Sequence, residues 1–342
     1  MGSTSLGEPG AQGMVALEVE EVKGDELHLW DALVAGSAEG TVFHTSDWLV
    51  RNASLQDRTL ILLGCYADGE LIGGCPLFLS NPYKILKIAS STTIATPYGG
   101  MVLSEIENAK QRKRELHNRM IIVSILEHIA GEGFDHVNLV HSPGLQDIRA
   151  FTQNGWDPRV YYTYILSLHD DLLKNTSKDV RQNIRKAQKH GISTTKQFDP
   201  EIFWSLTMST FTKQGKKPPF SREHLLGLLD LITSKNLGEM RVAHTSSGEI
   251  VAAEVTLWDP KMAHSWSAAS SEEHLSMGAA SLLCYDTFTG LSNLGVRRIN
   301  LMGGNMTQLS SFVSGFNPDL VPYFGVEYSR PKYAILKRFK RE

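Results

Sequence analysis

Apolar positions along the chain follow two periods, and the same succession of periods is written twice. The first pass opens with a strand at Val15 to Val22, a helical stretch around Glu26 to Ala38, and a short helix that Ser46 or Asp47 can cap. Thr59 to Tyr66 and Leu71 to Leu79 are apolar runs joined by Asp68-Gly69, the signature of a tight hairpin. A third strand spans about Ile85 to Ala95. From Ser104 to Gly131 the apolar residues Ile121, Ile125, Leu126 and Ile129 recur at helical spacing, which predicts an amphipathic helix. Val137 to Val140 then reads as a buried strand, Leu145 to Thr152 as a short helix and Tyr161 to Leu168 as a closing strand.

The second pass repeats that order. A basic helix, Ser177 to His190, ends at Gly191 as its cap, and the strand Ile192 to Phe198 follows. Two helices, about Pro200 to Thr212 and Ser221 to Lys235, lead to a hairpin over Met240 to Trp258 and a third strand at Met262 to Ala269. A turn at Gly278, a helix to Leu294, a strand at Ile299 to Leu301, a short helix and a strand pair near Tyr323 to Tyr328 complete it. The text itself echoes: Gly133 to Pro158 matches Gly295 to Pro318, and Gly69-Glu70-Leu71-Ile72 matches Gly248-Glu249-Ile250-Val251. Ordered matches of this kind mark an internal duplication. The fold class expected is α+β, with two tandem domains at residues 14–168 and 169–342, each a mixed, mostly antiparallel sheet flanked by helices. A chain of 342 residues is long enough for two such cores.

Composition narrows the function classes. The net charge of −3 excludes a globally basic nucleic-acid coat and leaves room for local basic patches. Cys65, Cys75 and Cys284 have neither metal nor disulfide spacing, so they read as buried thiols in a reducing cytoplasm. No apolar run reaches the roughly 18 residues that cross a bilayer, and residues 1–13 are expected to be a disordered leader or tag. No pattern has zinc spacing, and no GxSxG, Walker or GxGxxG text occurs, so metal chemistry and nucleotide hydrolysis find no residues to carry them.

Six stretches carry a resemblance: VFHTSDWL, TPYGGMVLS, VRQNIRKAQKHGI, SMGAASLLCYDTFTGLSNLG, INLMGGN and SFVSGFNPDLVPYF. In that order they resemble FemABX-like aminoacyltransferases, GNAT-superfamily acyltransferases with tandem GNAT-like domains. The resemblance implies an enzyme that forms an amide by moving an aminoacyl or acyl group from aminoacyl-tRNA or acyl-CoA to an amine acceptor. The tRNA acceptor end is then a possible partner. An acetyl-CoA-dependent N-acetyltransferase acting on a small amine or amino sugar, and a non-catalytic binding relative, are the rivals. Val313 stands where some peptidoglycan-bridge enzymes of this family carry a lysine, a departure that counts against peptidoglycan precursor as the acceptor.

The candidate site residues follow from chemistry and resemblance together. A proton acceptor for the attacking amine is sought in His264, on the third strand of the second half, and in Glu254, which interrupts an apolar strand. The helix at 177–190 sets cationic residues on one face, with Arg181, Arg185 and Lys186 as candidates for a diphosphate or an RNA backbone. Tyr98, Gly99 and Gly100 read as a backbone-exposing loop beside the acceptor, and backbone amides near Gly278 or the Gly303-Gly304 turn as candidates to stabilise the oxyanion. Ser276, Gly278 and Ala280 form a turn before a helix whose N–H groups can face the donor's pyrophosphate. Leu275 stands where GNAT enzymes carry a polar side chain at that turn.

Overall fold

A computed structural model of the protein describes residues 16–333 and 335, except 83, 84, 170 and 214. The expected leader at 1–13 lies outside these described residues. The first copy runs β1 (Leu17–Glu21), α1 (Leu27–Gly36), α2 (Ser46–Leu55), β2 (Leu60–Ala67), β3 (Glu70–Ser80), β4 (Ile88–Ser90), β5 (Val102–Leu103), α3 (Gln111–Gly131), β6 (His136–Val140), α4 (Arg149–Thr152) and β7 (Asp157–Ser167). After the linking helices α5 (Leu172–Asn175) and α6 (Lys178–Lys189) comes the second copy. It runs β8 (Ser193–Lys196), α7 (Pro200–Lys213), α8 (Arg222–Ser234), β9 (Gly238–His244), β10 (Ile250–Trp258), β11 (Ala263–Ser270), α9 (Ala279–Asn293), β12 (Arg298–Asn300), α10 (Thr307–Val313) and β13 (Asp319–Ser329). Apart from β5, each element of the first copy has a partner in the second.

Local chemistry explains the elements. Asp68 and Gly69 both adopt positive φ, 50° and 81°, the conformation a two-residue turn needs to match strand twist, so β2 and β3 pair as the sequence predicts. Ser177 caps α6 by accepting the N–H of Val180, and Val180, Ile184 and Ala187 are its buried stripe. Some expectations shift. The third strand of the first copy shrinks to β4, and the chain beyond it adds the unforeseen β5 on β3. Helix α3 starts at Gln111 rather than Ser104. The expected final strand pair is one strand, β13.

All strands join one sheet, in the order β1-β2-β3-β4-β6-β13-β7-β12-β11-β10-β9-β8, with β5 attached to β3. The two copies exchange their last strands. Strand β7 pairs with β12 of the second copy, and β13 pairs with β6 of the first, while β7 and β13 run antiparallel to each other between them. One core lies under α3 (Ile121, Ile125, Val137, Leu139), another under α6 and α9 (Ile184, Leu282, Leu291, Ile299). A third is shared: Val42, Phe43, Trp48 and Tyr98 pack with Leu225, Leu228, Met240 and Val255. Polar bonds cross the same seam, from Trp266 Nε1 to the carbonyl of Ala95 at 2.9 Å and between His224 Nε2 and Asn52 Oδ1 at 3.1 Å.

Candidate functional site

The loop at residues 37–44, between α1 and α2, lies across the seam, and the turn between β10 and β11 reaches it from the second copy. Asp259 closes that turn by accepting the N–H groups of Lys261 and Met262 on Oδ1, at 2.9 and 3.1 Å. Its Oδ2 accepts the N–H of Val42 at 3.2 Å and meets His264 Nε2 at 2.8 Å. Lys261 Nζ donates to the carbonyls of Ser37 and Gly40, just past the end of α1, where a cation offsets the exposed carbonyl dipoles. Burial pushes Lys261 below its ordinary value against the opposing charges of Asp259 and Glu39. Burial raises Asp259, but the His264 contacts and two backbone donors outweigh it and hold its carboxyl below the usual range.

His264 is fully buried, edge-on to Phe43 with ring centroids 5.2 Å apart, and its Nδ1 has no hydrogen-bond partner. It lines a cavity of about 420 Å³. Thr41, Ser142 and Gly144 of the first copy face Asp259, Arg298 and Asn300 of the second there, with Ile165 and Val321 from the exchanged strands. A second hollow of about 1070 Å³ shares Gly144 and Gln146 with the first and opens between α3 and the segment leading into α4. A third, of about 310 Å³, shares Glu39, Arg114 and Asn118 with the second. The three cavities are neighbours around loop 37–41.

Charge along the groove is uneven. Arg112, Arg114 and Arg119 project from α3, whereas Arg149 is held by Asp147 and Glu115 at 2.7 and 3.2 Å. Glu39 is buried at the edge of the hollow, accepts the Ser37 hydroxyl at 2.6 Å and is pushed above its ordinary value by desolvation. At the edge of the seam cavity, Asn300 knits three segments. Its Nδ2 donates to the Tyr98 hydroxyl at 2.9 Å, and its Oδ1 accepts the Thr163 hydroxyl at 2.6 Å and the N–H of Met302 at 3.0 Å. Nearby, His44 accepts the N–H of Thr41 on Nδ1 and donates from Nε2 to the Gly99 carbonyl. Burial drives His44 down to about 4 and His141 down to about 3, so both are neutral near pH 7.

The residues singled out in the sequence fall in different places. His264 lies in the seam cavity. Glu254 faces the other side of the sheet, beneath α9: it accepts the Ser265 hydroxyl, its Oε2 lacks a partner, and desolvation pushes it up. Tyr98, Gly99 and Gly100 are buried rather than exposing backbone. A Cβ on Gly99 would come within 1.9 Å of the Ser91 carbonyl oxygen. Gly303 lies against the Leu309 side chain of α10, and Gly304 against β7, where a Cβ would come within 2.4 Å of the Tyr162 oxygen. Arg181 donates to the carbonyls of Lys174 and Thr176, while Arg185 and Lys186 are exposed on α6. Gly278 is buried against α6, with Asn183 oxygen 2.2 Å from where a Cβ would stand. Ser276 is exposed and Ala280 half-buried at the same turn; like Gly278, neither lines the groove. Sequence reading missed Asp259, Lys261, Glu39 and Arg114. Asp259 and Lys261 sit in what looks like an ordinary polar turn, and their contacts to Val42, Ser37 and Gly40 come from the opposite copy.

The comparisons with known proteins bear on the fold. Residues 174–308 match the family described as acetyltransferase (GNAT) domain. Among solved structures, FemX superposes with a TM-score of 0.70 at 13% identity, covering 93% of this chain and 98% of that one. A tandem GNAT protein from the clavulanic acid biosynthesis pathway gives 0.58 at 12% identity, over 92% and 98%. The L-PGS structure from Bacillus licheniformis gives 0.56 at 12%, over 93% and 95%. No curated protein matches the chain. These matches define the fold, and the part that matches a family model is a GNAT-type acetyltransferase domain. The architecture of the chain is that of the tandem GNAT folds, similar to FemX, with the matched acetyltransferase domain making up α6 and most of the second copy. Among the described residues no helix is long and apolar enough to cross a membrane.

Proposed function

We propose that the chain forms an amide in the groove where the copies meet, transferring an aminoacyl or acyl group from an activated donor to a primary amine. The observation that carries this reading is His264. It is a buried imidazole paired with a carboxylate, has an unpartnered nitrogen, and lines the cavity between the copies. An amine enters as an ammonium ion. His264 takes one of its protons, the freed lone pair attacks the acyl carbonyl, and the bond to the leaving group breaks. The second ammonium proton passes to solvent as the amide forms, and the proton on His264 passes to the departing thiolate or alkoxide. Holding ester and amine together supplies up to about 7–11 kcal/mol of the barrier reduction.

The donor lies along α3, where Arg112 and Arg114 are placed to meet the phosphates of coenzyme A or of a tRNA end. The packing of the equivalent start of α9, with Gly278, on α6 supports a donor site in the first copy. The acceptor lies in the cavity at His264. Arg185 and Lys186 on α6 remain a cationic surface for a long or anionic partner. Thermal-shift titration separates the donors: stabilisation by acyl-CoA, lost in R112E/R114E, supports an acyl-CoA enzyme, and stabilisation by charged tRNA alone supports an aminoacyltransferase. No shift with either donor contradicts the proposal and favours a binding protein that kept the fold.

A further inference from the structure

The Asp259 carboxylate faces four donors and no acceptor. Oδ1 takes two backbone N–H groups from its own turn, and Oδ2 takes the N–H of Val42 from the first copy while meeting His264 Nε2. An ionised carboxylate only accepts, so Nε2 must carry the hydrogen. The lone pair of neutral His264 is thereby confined to Nδ1, the nitrogen without a partner. The charged and titratable groups around the ring are Asp259 and Lys261 on the turn, His44 on the facing loop and Arg298 on the neighbouring strand.

We infer that Asp259 is a positioning residue: it fixes the Nε2–H tautomer of His264 and, through Val42, makes that tautomer depend on the docking of the first copy. This rests on the reading of His264 as the base. During transfer, the proton from the ammonium goes to Nδ1, and the resulting imidazolium keeps its Nε2–H on the carboxylate, which stabilises the charge without itself being protonated. Lys261 completes the clasp by anchoring the same turn to the end of α1.

The geometry says what D259N does. Its amide nitrogen must replace one oxygen. At Oδ1 it would confront two backbone donors that cannot change, whereas at Oδ2 it confronts Val42 and a ring that can switch tautomer. The second placement costs less, so His264 becomes Nδ1–H and loses its free lone pair.

Nitrogen NMR of histidine-labelled full-length protein reads the tautomer directly, without substrate. The expected results are Nε2–H in the wild type, Nδ1–H in D259N, and return toward Nε2–H in D259E. With an amide-forming substrate, kcat in D259N is expected to fall on the order of a hundredfold with KM little changed. A wild-type ring protonated on Nδ1 overturns the inference, even if D259N does not fold. So does an unchanged tautomer in a folded D259N. Because the tautomer is read without substrate, this outcome is separable from failure of amide formation itself.

Discussion

The two copies share a topology but not their chemistry, and the register of the sheet shows where they part. Strand β4 pairs in parallel with β6 so that Ser90 stands beside Asn138; β11 pairs with β12 so that His264 stands beside Asn300. The equivalent position is thus a serine in one copy and an imidazole in the other. The helices that follow differ in the opposite sense. The start of α3 fronts a hollow of about 1070 Å³, whereas the start of α9 is covered by α6. A duplicated fold need not keep two like faces: here the second copy carries the imidazole at the seam, the first carries the open hollow beside α3, and the two cavities share Gly144 and Gln146.

The sharpest way to break that comparison is to mutate the paired positions. H264Q is expected to lower the rate of acyl transfer by about 10²–10⁴-fold, while S90A leaves it unchanged; equal effects on initial rates would show that the copies are not divided in this way. Next in size are the paired asparagines. Asn300 holds three partners in full burial, whereas the Asn138 carbonyl oxygen has none. N300A is expected to cost about 3 kcal/mol in urea denaturation and N138A no more than about 1 kcal/mol.

Acid sensitivity should also belong to the first copy, where His44 and His141 are buried neutral. Their folded pKa values, about 4 and about 3, lie below the unfolded value of 6.5. The unfolded chain therefore binds their protons first, and the stability they contribute is present above pH 6.5. It is lost as pH falls toward 4, by about 1.4 kcal/mol per unit for each ring. In H141N the loss of stability between pH 7 and pH 5 is expected to be smaller than in the wild type; an equal loss removes His141 from the account. The smallest effect concerns Glu254, beneath α9. Its pKa is raised in the fold, so its carboxyl costs stability as pH rises above the ordinary carboxyl value. E254Q is expected to be more stable than wild type at pH 8, with an advantage that shrinks on acidification and with transfer activity retained. Lost activity would return Glu254 to the chemistry.

Much of the fold was legible because its signals are local. Asp68-Gly69 sets its hairpin whatever surrounds it, Ser177 and Gly191 bound α6, and the repeat is plain in the text around Asn138 and Asn300. The strand exchange was not legible. Strands β7 and β13 carry similar apolar text, and nothing within either strand says which copy it will pair with. The site was half legible for the same reason. His264 stands out as a titratable residue on an apolar strand, but the contacts that tie Asp259 and Lys261 to the opposite copy span more than two hundred residues, and Glu39 stands out only by its burial. The glycines at 99, 278 and 304 looked like ligand loops because close approach to a ligand and close approach to another backbone require the same residue.

The most direct test is to incubate the wild type and H264Q with a panel of primary amines and either acyl-CoA or charged tRNA, and to detect amide products by mass spectrometry. The account predicts an amide with at least one donor in the wild type and at least a hundredfold less in H264Q. Equal amounts from the two proteins, or none from the wild type with either donor, would contradict it.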